Sequence, residues 1–245
     1  MNSGDMLGID LQPDLASPPS LQVPWTARDV WAGLGVFGLW TLIALGFGIG
    51  REAFSWKFDI GVFIALWELV LILPAWWFSV RKYHLDWSAL GLRKFEFTSL
   101  AVGCGLMVFS YCFNFFYSLA SSMLGFQTGA DFSGLLDAVS SPWPLLFAGV
   151  IIAPFVEEIF FRGFVFAGLR GKYGWVPAAL ISAGLFALVH LQPVSFLPIF
   201  LMGLIFAYLY QRSSSIWPGL IMHLATNTLG LGAAYLLSQV SLPTL

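Results

Sequence analysis

Residues 143–169 read WPLLFAGVIIAPFVEEIFFRGFVFAGL. This run is long enough to cross a bilayer as one helix, since about 20 apolar residues span the ~30 Å hydrocarbon core. Glu157, Glu158 and Arg162 interrupt it close together near its middle. A charged side chain at the centre of a membrane helix costs at least ~2.5–3.5 kcal/mol on the most lenient scale, so such groups are paired, hydrated or functional. The stretch therefore reads as a membrane helix and marks where chemistry is to be sought.

The rest of the chain has the same character. Of its 245 residues 58% are hydrophobic and only 10% charged, and the mean hydropathy is +0.82. A water-soluble domain of this size does not have that composition. A membrane β-barrel would need segments of about 10 residues alternating in and out, whereas this chain offers uninterrupted apolar runs. The expected fold is all-α, a polytopic transmembrane helical bundle whose main partner is the lipid bilayer. A formal net charge of −2 and the absence of a basic cluster give no reason to expect a nucleic-acid partner. Cys104 and Cys112 share one apolar segment and read as small packing residues, neither a disulfide nor a metal site.

The opening MNSGDMLGIDLQPDLASPPSLQVP is rich in Pro and Ser, carries Asp5, Asp10 and Asp14, and holds no Lys or Arg. Residues 1–27 read as a disordered cytoplasmic tail without the basic start and apolar middle of a secretion signal, so the first membrane helix is expected to direct insertion. Residues 28–245 then form a single transmembrane domain.

Seven spans are expected, roughly Val30–Ile49, Ile60–Val80, Ser99–Leu124, Trp143–Leu169, Trp175–Leu191, Val194–Tyr210 and Ile216–Leu237. With seven spans, Arg28, Arg81, Lys82, Arg93, Lys94, Arg162, Arg170, Lys172 and Arg212 fall on one side, and Arg51 and Lys57 on the other. The positive-inside rule makes the amino terminus cytoplasmic and the carboxyl terminus external. The reading is of an integral protein of the cell (plasma) membrane of a prokaryote. Trp25, Trp56, Trp76, Trp77, Trp87, Trp143, Trp175 and Trp217 lie near span ends and read as headgroup belts. The polar segment Asp131 to Ser141 reads as an outer loop or a surface helix.

Residues four apart on a helix share a face, whereas neighbours diverge. Arg162 thus lies over Glu158 as a neutralising pair, which leaves Glu157 free to face a cavity. The same spacing recurs twice: Phe186 with His190 on span five, and His223 with Asn227 on span seven. His84, the remaining histidine, reads as a surface loop residue. At about 1.5 Å rise per residue, Glu157 lies ~20 Å from Arg170, His190 ~21 Å from Val176, and His223 and Asn227 ~10 and ~16 Å from Ile216. All four can meet near mid-depth. A carboxylate, two imidazoles and an amide around a watered pocket suit peptide-bond hydrolysis: a base takes a proton from water and donors opposite hold the oxyanion.

Three motifs now stand in order on successive membrane helices: E-E-x-x-x-R from Glu157 to Arg162, F-x-x-x-H from Phe186 to His190, and H-x-x-x-N from His223 to Asn227. In these the chain resembles the CAAX-type (type II CAAX prenyl endopeptidase-like) intramembrane proteases, also grouped with bacteriocin-processing enzymes. The resemblance covers mainly residues 143–237, with support from the Leu90-Gly91-Leu92 turn. It implies an intramembrane endopeptidase acting on a peptide or membrane-protein substrate. Glu157 and His190 would activate the water, and His223 and Asn227 would stabilise the oxyanion. Glu158, Arg162 and Phe186 would support the site structurally.

No cofactor is expected, because Asn227 is a poor zinc ligand and a natural oxyanion donor. Zinc held by Glu157, His190 and His223 is the alternative. Taken singly, either histidine or Asn227 would read as an interhelical hydrogen bond. The competing functions are an ion- or proton-coupled transporter and a non-catalytic membrane protein that binds a partner. Glu68, inside LWELVLIL, belongs to none of the motifs, and a structural partnership with a polar group on another helix is the expected account. Gly203 and Gly219 read as sites of close helix approach.

Overall fold

The computed structural model describes residues 22–54, 59–128, 136, 139 and 141–239. Most of these are helical, and no strand occurs among them. In chain order the helices are α1 Ala27–Phe54, α2 Ile60–Arg81, α3 Phe97–Met123, α4 Pro142–Tyr173, α5 Trp175–Val189, α6 Phe196–Ser213 and α7 Trp217–Ser238. Each expected span has its helix. Among the described residues, six helices are long and apolar enough to cross a membrane, and α5 is the shorter seventh. The tail up to residue 21, Trp56, Lys57 and most of the Asp131 to Ser141 segment lie outside the described residues.

Helix α4 is the hub. Residues 156–169 are buried without interruption, as befits a helix that is apolar on every side. Its second half is surrounded by α1, α2, α5, α6 and the short turn Trp87–Leu90, while its first half packs on α2 and α7. Glu157, Glu158 and Arg162 therefore sit at the protein's centre and not against lipid.

Two stretches of α4, Ala148–Ile152 and Glu158–Phe166, are wound as π-helix. Four-residue spacing presupposes a regular α-helix and carries no sign of this winding. Local chemistry accounts for part of it: Pro154 lacks an N–H and cannot continue the preceding ladder. A Cβ on Gly163 would stand 2.4 Å from the Leu90 carbonyl oxygen, so glycine is required where the Trp87–Leu90 turn abuts α4. Gly91 beside it has φ 89°, in the left-handed region open to glycine, and its carbonyl accepts from the Ile216 N–H at 2.9 Å. The Leu90-Gly91-Leu92 turn thus pins α4 to the start of α7.

Helix α5 ends two residues before its expected limit. Its 15 residues reach only ~22 Å at about 1.5 Å each, short of a full crossing. Leu191 adopts φ 53°, and Pro193 disfavours helix in the residue before it. His190 consequently caps the helix and opens a short non-helical stretch before α6. Irregular backbone at membrane depth is tolerated where it is buried in protein or lines a wet cavity.

Trp25 departs from its expected place in a headgroup belt. It is buried, and its indole Nε1 donates to the Phe164 carbonyl at 3.0 Å. Gly168 leaves the room it fills. The chain just ahead of α1 is therefore docked on α4. Trp77, Trp87, Trp143, Trp175 and Trp217 are exposed. Cys104 and Cys112 are free and lie on the exposed side of α3, and His84 is exposed.

Candidate active site

Glu158 and Arg162 form the pair expected of their spacing: Nη1 of Arg162 lies 2.7 Å from Oε1 of Glu158, with both side chains buried. The π-helical winding does not break this register. The Arg162 guanidinium lies between two rings, 4.3 Å from the centroid of Phe186 on α5 and 5.1 Å from that of Phe206 on α6. Its Nη2 donates to the Gly203 carbonyl at 3.3 Å. One arginine thus ties α4 to α5 and α6. Gly203 permits this, since a Cβ there would meet Ala183 Cβ at 2.9 Å.

His223 reaches the same cluster from α7. Its Nδ1 lies 3.3 Å from Glu158 Oε1 and its Nε2 3.5 Å from Glu157 Oε2. Its ring stacks on Phe206 at 5.0 Å between centroids. With Nδ1 donating to Glu158, Nε2 is the nitrogen presented to Glu157. Gly219, one turn earlier on α7, keeps room for Glu158, whose Oε2 would lie 3.1 Å from a Cβ there.

Phe186 touches four members of the site: Phe161, Arg162, His190 and His223. It is buried and packs these groups against one another. His190 shares a hydrogen bond with its own helix, Nδ1 to the Phe186 carbonyl at 2.7 Å. A carbonyl only accepts, so Nδ1 carries the proton and Nε2 offers a lone pair.

A cavity of about 830 Å³ opens beside this cluster. Glu157, His190 and Asn227 line it, from α4, the end of α5 and α7 respectively. His223 does not: it lies behind Glu157, buried between the two carboxylates. Asn227 spends one amide hydrogen on the Gly149 carbonyl, Nδ2 to oxygen 2.7 Å. That bond has a local cause. In this π-wound turn Ala153 N–H bonds the Ala148 carbonyl, five residues back, so the Gly149 carbonyl would look to residue 154, a proline without an N–H. Asn227 supplies the missing donor and retains a second amide hydrogen.

Glu68 differs from its expected role. No hydrogen-bond partner meets its buried Oε2 among the described residues. Instead Glu68 lines the 830 Å³ cavity from α2 together with Glu157 and His190. The general rule for acids inside a membrane segment was the available signal, and absence from any motif weighed against it. Tyr111 and Asn114 of α3, and Gln192 and Ser195 of the stretch between α5 and α6, also line the cavity. The Gln-Pro pair just past the motif histidine was the sign that the helix ends at the pocket.

Among the described residues, no three His, Cys, Asp or Glu side chains converge as a metal ligand set. Of the three candidates, His223 has both ring nitrogens directed at carboxylates and lies off the cavity.

Residues 139–229 match the family model described as Type II CAAX prenyl endopeptidase Rce1-like, the family that the three motifs resemble. Among curated proteins, the chain is 35% identical over 94 residues to the "Putative membrane peptidase YdiL" of Bacillus subtilis (strain 168), covering 38% of this chain and 38% of that protein. It is 36% identical over 86 residues to an "Uncharacterized 24.3 kDa protein" of Escherichia coli, covering 33% of this chain and 40% of that protein. The match spans about two-fifths of the length of these relatives. No solved structure matches the chain. The apolar helices and these likenesses together make it an integral membrane protein.

Proposed function

We propose that the protein is an intramembrane endopeptidase that hydrolyses a peptide bond of a membrane-associated or peptide substrate. The observation that carries this reading is the common cavity of Glu157, His190 and Asn227, which come from three different helices. The family match over residues 139–229 and the relative named as a membrane peptidase point the same way.

In this mechanism a water lies between Glu157 and His190 Nε2. The Glu157 carboxylate takes one of its protons while the water oxygen bonds to the substrate carbonyl carbon, and the carbonyl π pair moves onto oxygen. The free amide hydrogen of Asn227 faces that developing oxyanion. Collapse restores the carbonyl and breaks the C–N bond, and the proton held by Glu157 passes to the leaving nitrogen. His223, behind the cavity, orients Glu157 and shares its proton instead of contacting the oxyanion. Glu158 and Arg162 fix His223 and the three helices. No step passes through a metal.

The protease core is residues 143–237. The amino terminus is cytoplasmic by the distribution of Lys and Arg, and the setting is the cell membrane of a prokaryote, in keeping with two bacterial relatives. The test uses purified full-length protein and a panel of membrane-anchored peptides. Cleavage that Glu157→Gln abolishes and His190→Ala severely reduces is expected. Cleavage at the wild-type rate by Glu157→Gln would sink the assignment.

A further inference from the structure

Glu157 and His190 also face a second, smaller cavity. It has a volume of about 180 Å³ and is bounded by α1, α2, α4 and α5, whereas the larger cavity draws on α3, α6 and α7. Three residues line both: Glu68, Glu157 and His190. They form the partition between the two spaces.

The smaller cavity has the chemistry of a water site. At ~30 Å³ per molecule in the liquid, its volume admits up to about six waters, each needing two to four polar partners. Thr41, Glu68, Glu157 and His190 provide such partners. Thr41 Oγ1 donates to the Phe37 carbonyl at 3.0 Å and so still has lone pairs to offer. Glu68 Oε2 is buried with no protein partner among the described residues, and leaving it dry would cost ~1–3 kcal/mol or more. The opposite walls, Phe37, Leu71 and Phe161, are apolar.

Hydrolysis at this depth consumes one water per turnover, and a substrate filling the larger cavity shuts out water from that direction. We infer that the smaller cavity is a water-binding chamber that feeds the reaction from behind Glu157 and His190, with Glu68 as the positioning residue that holds water at the partition. The inference rests on the hydrolytic reading above. It adds a residue from α2 and a chamber bounded by α1, both outside the three motifs.

Two measurements on the full chain in nanodiscs test it. In X-ray hydroxyl-radical footprinting, Leu71 and Phe161, 4% and 1% exposed, should be oxidised several-fold faster than Phe166, which is equally buried but remote from the chamber. Thr41→Leu, which fills the chamber from α1, should remove that difference. In peptide cleavage, Thr41→Leu and Glu68→Gln should each lower kcat by about tenfold with KM unchanged, short of the ~10²–10⁴-fold carried by a general base, and Glu68→Asp should recover part of the loss. Unmodified Leu71 and Phe161 would overturn the chamber whether or not a cleavable substrate is in hand. Modified residues with kcat untouched in both variants would overturn its feeding role. If Glu157→Gln is inert while those variants turn over normally, only this inference falls, whereas an active Glu157→Gln removes the hydrolytic reading itself. Glu68→Gln hardly changes side-chain volume, so it decides the matter if Thr41→Leu fails to fold.

Discussion

The Glu158 carboxylate lies 2.7 Å from the Arg162 guanidinium, four residues on, with side-chain exposures of 1% and 0%. Glu158 also receives His223, and Arg162 also holds Phe186, Phe206 and the Gly203 carbonyl. Removing one partner of such a pair strands the other charge, at a cost of about 3–5 kcal/mol. Arg162→Met should therefore unfold far more readily in detergent than the parent. Glu158→Gln combined with Arg162→Met should recover a substantial part of that loss, because no unpaired charge remains. Denaturant unfolding of the three proteins decides it, and a single variant as stable as the parent would refute a structural role for the pair.

Asn227 carries two separable roles. Asn227→Ala should lower kcat by about 10²–10³-fold if the amide faces the oxyanion, and should also cost about 1 kcal/mol of stability through the abandoned Gly149 carbonyl. Pro154→Ala restores a main-chain N–H that can serve that carbonyl. The double variant Asn227→Ala with Pro154→Ala is expected to regain thermal stability but not activity. Recovery of both together would mean that Asn227 only supports the helix.

The sequence was legible where the membrane imposes simple rules. Seven apolar runs became seven helices, and the four-residue spacing of Glu158 and Arg162 became a 2.7 Å contact. Spacing along single helices could not give what depends on the backbone between them. The π-winding of α4 carries the Gly149 carbonyl to Asn227, and the early end of α5 leaves His190 at a cavity edge. Trp25 looked like a belt residue because a tryptophan at a span end is ambiguous until its indole partner, the Phe164 carbonyl, is known. Glu68 was visible as an isolated acid, but only the crossing of α2 with α4 and α5 sets it beside Glu157 and His190.

Two glycines should differ in what they tolerate. At Gly203 an added Cβ meets Ala183 Cβ at 2.9 Å and the Ala183 backbone Cα at 3.0 Å, so two helices must separate. At Gly219 the nearest atom is the end of a side chain, Glu158 Oε2 at 3.1 Å. Gly203→Ala should therefore cost about 1–3 kcal/mol, in the range of overpacked cores, and Gly219→Ala less. Gly219→Ala should instead act on the chemistry, by pushing Glu158 against His223. Melting temperatures and cleavage rates of the two variants should thus rank in opposite orders, and a shared order would refute the distinction.

The orientation assigned from Lys and Arg is open to direct chemical labelling. Lys94 follows α2 and Phe126 follows α3, so the two lie at opposite membrane faces if α3 crosses once. Cys104 and Cys112 are free and exposed, and must first be replaced by serine so that they do not react. In intact cells, a cysteine replacing Phe126 should react with a membrane-impermeant maleimide, whereas one replacing Lys94 should react only after permeabilisation. The reverse pattern would turn the bundle over and place Arg93, Lys94 and Arg212 outside. Reaction of both in intact cells would show instead that α3 does not span.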